Sequence, residues 1–236
     1  MQRKLAFFAI TFLATFAVAQ QPAAPAPPAA HHGHATEPAQ SPDKIWSDLM
    51  DGNQRFVAGK LKPRALVSVR ESLTKSQHPK AMVLSCSDSR VPPESVFDQT
   101  LGDLFVVRAA GNIAGPLGLA SLEYAFDHLG STVLVVLGHT KCGAVTAACS
   151  GEKMPTANLQ AMVDQIDPAV AKVKGSATGD ALIEAAIKEN VRQSAMDLLA
   201  HSELLKNAKE HGKLTVIEAE YQLDTGEVVR LDKATQ

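Results

Sequence analysis

The chain has 236 residues, of which 45% are hydrophobic and 20% charged, enough for one ordinary globular domain with a buried core and too few for two. With 25 acidic against 23 basic residues it lacks the basic excess of a nucleic-acid-binding surface, and losing Arg3 and Lys4 with a leader would make it more acidic still. Its cysteines, Cys86, Cys142 and Cys149, are too few for the disulfide framework of an exported scaffold.

Residues 1–19 read as a secretory signal peptide. Arg3 and Lys4 supply the positive start, Leu5 to Val18 the apolar stretch, and Ala17-Val18-Ala19 a small-residue cleavage site. The apolar run is shorter than the ~20 residues a spanning helix needs. The expectation is therefore an exported, periplasmic protein with no stable membrane anchor. Residues 20–42 are rich in Pro and Ala without apolar periodicity and read as a disordered linker. Inside it, His31-His32-Gly33-His34 offers imidazoles to a transition metal, although its composition reads first as a solvated low-complexity stretch.

The folded domain is expected over 43–236. Ser41 and Pro42 look like an N-cap and first helical residue, with Ile45, Trp46, Leu49 and Phe56 at roughly helical spacing until Gly59. Ala81 to Ser85, Leu104 to Val107 and Thr132 to Gly138 are short apolar runs that read as buried strands. Leu117 to Leu129 has helical spacing and Gly130 stops it. A strand, helix, strand order implies parallel pairing, hence an α/β fold with a mostly parallel central sheet flanked by helices. After Cys142 a further helical stretch precedes a long helix-forming tract from Ala181 to Glu210, closed by Gly212. Leu214 to Leu223 and Glu227 to Leu231 flank Asp224-Thr225-Gly226 as a final hairpin.

The chemistry gathers in Cys86-Ser-Asp-Ser-Arg90 and His139-Thr-Lys-Cys142. Two thiolates and an imidazole make a three-ligand zinc set. Structural zinc usually takes four protein ligands, whereas catalytic zinc keeps one position free, and Cys2His is a known catalytic set. Cys86 and His139 each follow the last residue of a predicted strand, and open parallel sheets bind ligands beyond those ends. Cys142 would sit at a helix start, where exposed N–H groups favour a thiolate. Zinc would also keep Cys86 and Cys142 out of disulfides in an oxidising compartment; the bland alternative is one bridge and one orphan. Cys149 reads as a small buried core residue.

At these residues the chain resembles the β-class carbonic anhydrases, zinc enzymes that interconvert carbon dioxide and bicarbonate. Four blocks carry the resemblance in the family's order: Gly52-Asn53-Gln54-Arg55-Phe56, Cys86 to Pro92, Leu104 to Asn112, and Gly138 to Gly143. The likeness spans roughly residues 43–231. It implies Zn²⁺, one per chain, on Cys86, His139 and Cys142, with Asp88 and Arg90 as the catalytic carboxylate and guanidinium. Asp88 would also be a possible fourth ligand in a closed state. Gln77, Phe105, Ala110, Tyr124 and Gly143 match substrate-pocket positions, with Tyr124 offered by a neighbouring subunit, so a homodimer or higher homo-oligomer is implied.

One departure matters. Some members carry a tryptophan three residues before the first ligand cysteine as part of a bicarbonate-binding regulatory site, and here that position is Val83. The expected activity is reversible hydration of carbon dioxide to bicarbonate and a proton by zinc-bound hydroxide. Asp88 and Arg90 would orient and gate the solvent. His78 is a candidate proton shuttle by proximity alone, and a solvated histidine is the commoner case. Two alternatives remain at this level: a carbonyl sulfide or carbon disulfide hydrolase on the same fold, and a non-catalytic exported zinc-binding protein.

Overall fold

The structure, a computed structural model, describes residues 40–232. The expected signal peptide and the His31–His34 cluster lie outside these residues. In chain order the elements are α1 (Pro42–Val57), α2 (Leu66–Ser72), β1 (Ala81–Ser85), α3 (Pro93–Val96), β2 (Leu104–Arg108) and a 3-10 turn (Ala110–Asn112). There follow α4 (Pro116–Asp127), β3 (Val133–His139), α5 (Gly143–Ser150), α6 (Ala157–Val173), α7 (Gly179–His201), α8 (Glu203–Glu210), β4 (Thr215–Tyr221) and β5 (Val228–Arg230). No helix among the described residues is long and apolar enough to cross a membrane.

The strands form one sheet in the order β2-β1-β3-β4-β5. All neighbours are parallel except β4 and β5, which make the expected antiparallel hairpin. β1 and β3 are buried along their whole length, as unbroken apolar runs require in a sheet covered on both faces. The pleat sends alternate residues to opposite sides. Ala81, Val83, Val133, Val135 and Leu137 meet Ile45 and Leu49 of α1 and Val96 of α3 on one face. Met82, Leu84, Leu134 and Val136 meet Leu122, Val191, Leu198 and Leu205 of α4, α7 and α8 on the other. Each such aliphatic side chain contributes about 1.5–3 kcal/mol on burial.

The Gly52-Asn53-Gln54-Arg55-Phe56 block is the fastening of α1. A Cβ on Gly52 would lie 1.8 Å from the Phe97 carbonyl oxygen, so only glycine permits this approach. Buried Asn53 donates to the carbonyls of Val96 (3.1 Å) and Gly226 (2.8 Å) and accepts the Val228 N–H (2.9 Å). Arg55 donates to the buried carboxylate of Asp98 at 2.6 Å. A cavity of about 480 Å³ beside this pair is lined by Arg55, Arg64, Lys80, Asp98 and others, and includes none of the predicted site residues.

Several boundaries depart from the sequence reading. Ser41 does cap α1, accepting the Lys44 N–H at 3.3 Å, but α2, α3 and the extent of α6 carry no signal that periodicity caught. The tract from Ala181 to Glu210 is two helices. Ser202 breaks it with extended backbone, its hydroxyl accepting the Leu205 N–H and donating to Glu123 of α4. Cys149 is half-buried, not fully so, because it packs at the margin of the cluster that holds Val145 and Ala148.

Glu220 on β4 is 3% exposed, and its Oε1 meets no donor among the described residues. Burial raises its pKa; Lys188 and His139 work against this and Glu184 adds to it. A carboxyl whose folded pKa is raised contributes stability at low pH that is lost as pH rises through that folded value. Glu220→Gln should therefore stabilise the protein relative to the parent more at about pH 8 than at about pH 5. Urea unfolding at both pH values checks this, and an advantage independent of pH would refute it.

Candidate metal centre

β1 and β3 lie side by side, with Ser85 opposite Leu137. The chain leaves β1 toward β2 on one side and leaves β3 toward β4 on the other, so the crevice between their carboxyl ends is a topological switch point. Cys86 emerges from β1 there, His139 ends β3, and Cys142 caps the N-terminus of α5. Their ligand atoms all lie within 4.8 Å of one another. The three residues are 4%, 0% and 1% exposed, and neither cysteine is in a disulfide.

The turn between His139 and Cys142 is tied to β4. The Thr140 N–H donates to the Tyr221 carbonyl (3.0 Å) and the Leu223 N–H to the Thr140 hydroxyl (3.0 Å). Lys141 takes a left-handed conformation, φ 56°. His139 Nδ1 lies 2.9 Å from the Thr140 carbonyl. A carbonyl can only accept, so Nδ1 carries the hydrogen and Nε2 presents a lone pair. That Nε2 is buried and meets no hydrogen-bond partner. A buried acceptor left bare beside two thiol sulfurs, with its ring fixed from behind, is the arrangement a metal-ligating imidazole needs. The soft S, S, N donor set suits zinc, with one position of a tetrahedron left over.

The sulfurs are electrostatically unequal. Cys86 is drawn well below the ordinary thiol pKa, chiefly by a hydrogen bond from Cys142, with His139 and the Gly111 N–H helping against the cost of burial. Cys142 is pushed up, first by that hydrogen bond to Cys86 and then by burial. An ion that takes both sulfurs requires both as thiolates, so binding releases whatever proton the pair holds. Burial opposes protonation of His139, but the nearby Cys86 sulfur, the Thr140 carbonyl and the Asp88 carboxylate outweigh it and raise its pKa.

Asp88 and Arg90 stand at the mouth. The Asp88 carboxylate accepts the Arg90 backbone N–H at 2.9 Å, Nε at 2.9 Å and Nη2 at 2.7 Å. That guanidinium holds the carboxyl well below the usual carboxylate range, so Asp88 is ionised at any working pH. Its Oδ2 lies 3.9 Å from His139 Nε2. Arg90 therefore holds the carboxylate beside the donor set in the open arrangement.

Sequence reasoning missed three supports of the centre. The Gly111 N–H donates to Cys86 Sγ at 3.3 Å from a left-handed residue, φ 74°, whose missing side chain would strike Ile166 at 2.7 Å. Thr140 orients His139. Arg108 donates from Nε to the Cys86 carbonyl (2.9 Å) and from Nη2 to the Asp88 carbonyl (2.5 Å). Both this arginine and this glycine stand in the Leu104-to-Asn112 block, which was the available signal. Of the expected pocket residues, Ala110 opens the 3-10 turn that holds Gly111, and Gly143 follows Cys142 and opens α5. Phe105 lies on β2 with its ring 6.5 Å from that of Tyr124, which is half-exposed on α4. Gln77 and His78 are exposed in the loop before β1.

An open α/β sheet carrying a buried Cys2His donor set and a carboxylate held off by arginine defines a catalytic type of metal centre. The family model described as carbonic anhydrase matches residues 81–228. Carbonic anhydrase 2 of Mycobacterium tuberculosis is 36% identical over 199 residues, covering 83% of this chain and 95% of that protein. The carbonic anhydrase of Pseudomonas aeruginosa is 32% identical over 198 residues, covering 80% and 89%. Among solved structures, the β-carbonic anhydrase CcaA superposes with a TM-score of 0.64 at 28% identity, covering 79% of this chain and 95% of that one. The chain belongs to the carbonic anhydrase family, in its β class, and is a zinc enzyme.

Cys142→Ser replaces a thiolate by a hydroxyl that stays protonated at neutral pH, so the variant should lose its zinc. Metal analysis of the purified protein checks this, and full zinc retention would overturn the ligand assignment.

Proposed function

We propose that the chain catalyses the reversible hydration of carbon dioxide to bicarbonate and a proton, with Asp88 and Arg90 governing the reacting solvent molecule. The observation that carries this reading is the bare Nε2 of His139, 3.9 Å from a carboxylate that Arg90 keeps ionised and away from the donor atoms. Zinc, when bound, supplies a Lewis acid that makes a water molecule acidic enough to lose a proton near neutral pH. Two thiolates and a neutral imidazole cancel the ion's charge, which weakens this effect relative to a three-histidine site.

The carboxylate compensates. Asp88 Oδ2 accepts a hydrogen from the attacking solvent oxygen and turns its lone pair toward carbon dioxide. A C–O bond forms, one C=O electron pair moves to oxygen, and the proton released in the cycle passes to buffer. Arg90 forks onto both Asp88 oxygens and so prevents the carboxylate from taking the fourth zinc position. Phe105, Ala110 and Tyr124 supply a dry wall for a small apolar substrate, Gln77 steers one of its oxygens, and the Gly143 N–H faces it. The half-exposed Tyr124 supports a homodimer in which the second copy completes that wall. Residues 1–19 support export to the periplasm. The carbonic anhydrase relatives do not favour carbonyl sulfide or carbon disulfide hydrolysis, nor a merely structural zinc protein.

Stopped-flow hydration by the zinc-loaded protein should accelerate as pH rises, and no acceleration at alkaline pH would sink the enzymatic reading. Asp88→Asn should keep one zinc per chain and lose roughly 10²-fold in kcat. Unchanged turnover in that variant would remove Asp88 from the reaction. Sequencing the N-terminus of the secreted form tests export, with a start near Gln20 expected and an intact Met1 opposing it.

A further inference from the structure

We infer that Arg108 is a positioning residue for the metal centre, fixing Cys86 and Asp88 together through their main-chain carbonyls. The inference rests on the zinc-ligand assignment above and adds to it a residue that touches neither metal nor substrate.

The loop leaving β1 has to place two groups at once, the first ligand and the carboxylate. Its pairing with the neighbouring strand fades quickly: the Ala109 N–H reaches the Ser85 carbonyl at 3.0 Å and the Ser87 N–H the Ala109 carbonyl at 3.2 Å. Past Ser87 the main-chain tie is internal, from the Val91 N–H to the Asp88 carbonyl at 3.0 Å. The Asp88–Arg90 contacts are equally local, two residues apart. Such contacts shape the pair but cannot place it relative to His139 and Cys142, which arrive on β3 and α5.

Arg108 supplies the external reference. It is the last residue of β2 and lies opposite Ser85 in the register. From there its guanidinium straddles Ser87, Nε on one carbonyl and Nη2 on the other. It thus reaches this loop's main chain as a side chain from outside the loop. The planar fork matters, because two acceptors at fixed separation define an orientation, whereas the ammonium of lysine is a single point. Removing the fork leaves Cys86, Asp88 and Arg90 in place chemically and loosens where they stand.

The test compares the full-length protein with Arg108→Ala and Arg108→Lys, using Asn53→Ala as a control that weakens the distant fastening of α1. Zinc transfer to a chelator and the visible spectrum of the cobalt-substituted protein are measured alongside kcat and KM. Arg108→Ala should still bind one zinc per chain but release it about 10–100-fold faster. Its cobalt spectrum should change in the thiolate charge-transfer and ligand-field bands, kcat should fall more than KM rises, and Arg108→Lys should recover part of each. A parental release rate and cobalt spectrum in Arg108→Ala would overturn the inference even if stability or activity drops, as would equal changes in Asn53→Ala. Should Arg108→Ala fail to fold, a folded Arg108→Lys with parental values overturns it. A parent protein without hydration activity would refute the proposed function, while the release rates and spectra would still decide the role of Arg108.

Discussion

The parallel pairing of β1 with β3 is the constraint on which the centre rests. Cys86 and His139 are far apart in the chain, and no local motif could bring a sulfur and an imidazole together across that distance. The ladder does so by holding Ser85 opposite Leu137, so that both strands release their ligands at the same height. Both strands are wholly buried, and a slip of one residue would turn every apolar side chain to the wrong face. The hydrophobic sandwich thereby fixes the register, and the register fixes the ligand spacing.

Around that geometry the charges have separate duties. Two thiolates neutralise the ion and hold it tightly, but they blunt its power to acidify water. In the proposed cycle Asp88 restores part of that power provided it stays ionised and off the metal, and the guanidinium that forks onto it meets both conditions. On that reading metal affinity and reactivity fall to different side chains, the first to the cysteines and the second to the Asp88–Arg90 pair. The half-exposed position of Arg90 beside the more buried Asp88 leaves the pair open to solvent.

Much of this is legible in the order of residues alone. β1 and β3 are runs of aliphatic residues too short for helices, and the ligands sit at their ends, so the sheet and the donor set follow together. What escapes is structure that depends on partners. α2 has no buried residue, hence no apolar stripe to read, and α3 is a single turn set by prolines. The break at Ser202 is invisible to periodicity because α7 and α8 present apolar residues to one core in near-continuous phase; only the capping hydroxyl marks it. Arg108 and Thr140 escape because both act through main-chain atoms, which a sequence does not display. The half-buried state of Cys149 reflects its place on the helix surface, a detail finer than residue type.

Lys141 carries a consequence for the reach between two ligands. Its left-handed backbone, φ 56°, costs a non-glycine residue about 1–2 kcal/mol, and the ties from Thr140 to β4 sustain it. The bite between His139 and Cys142 is thus set by chain handedness and a neighbouring strand. Ligand spacing on this side of the centre is therefore a property of the main chain and of its ties to β4.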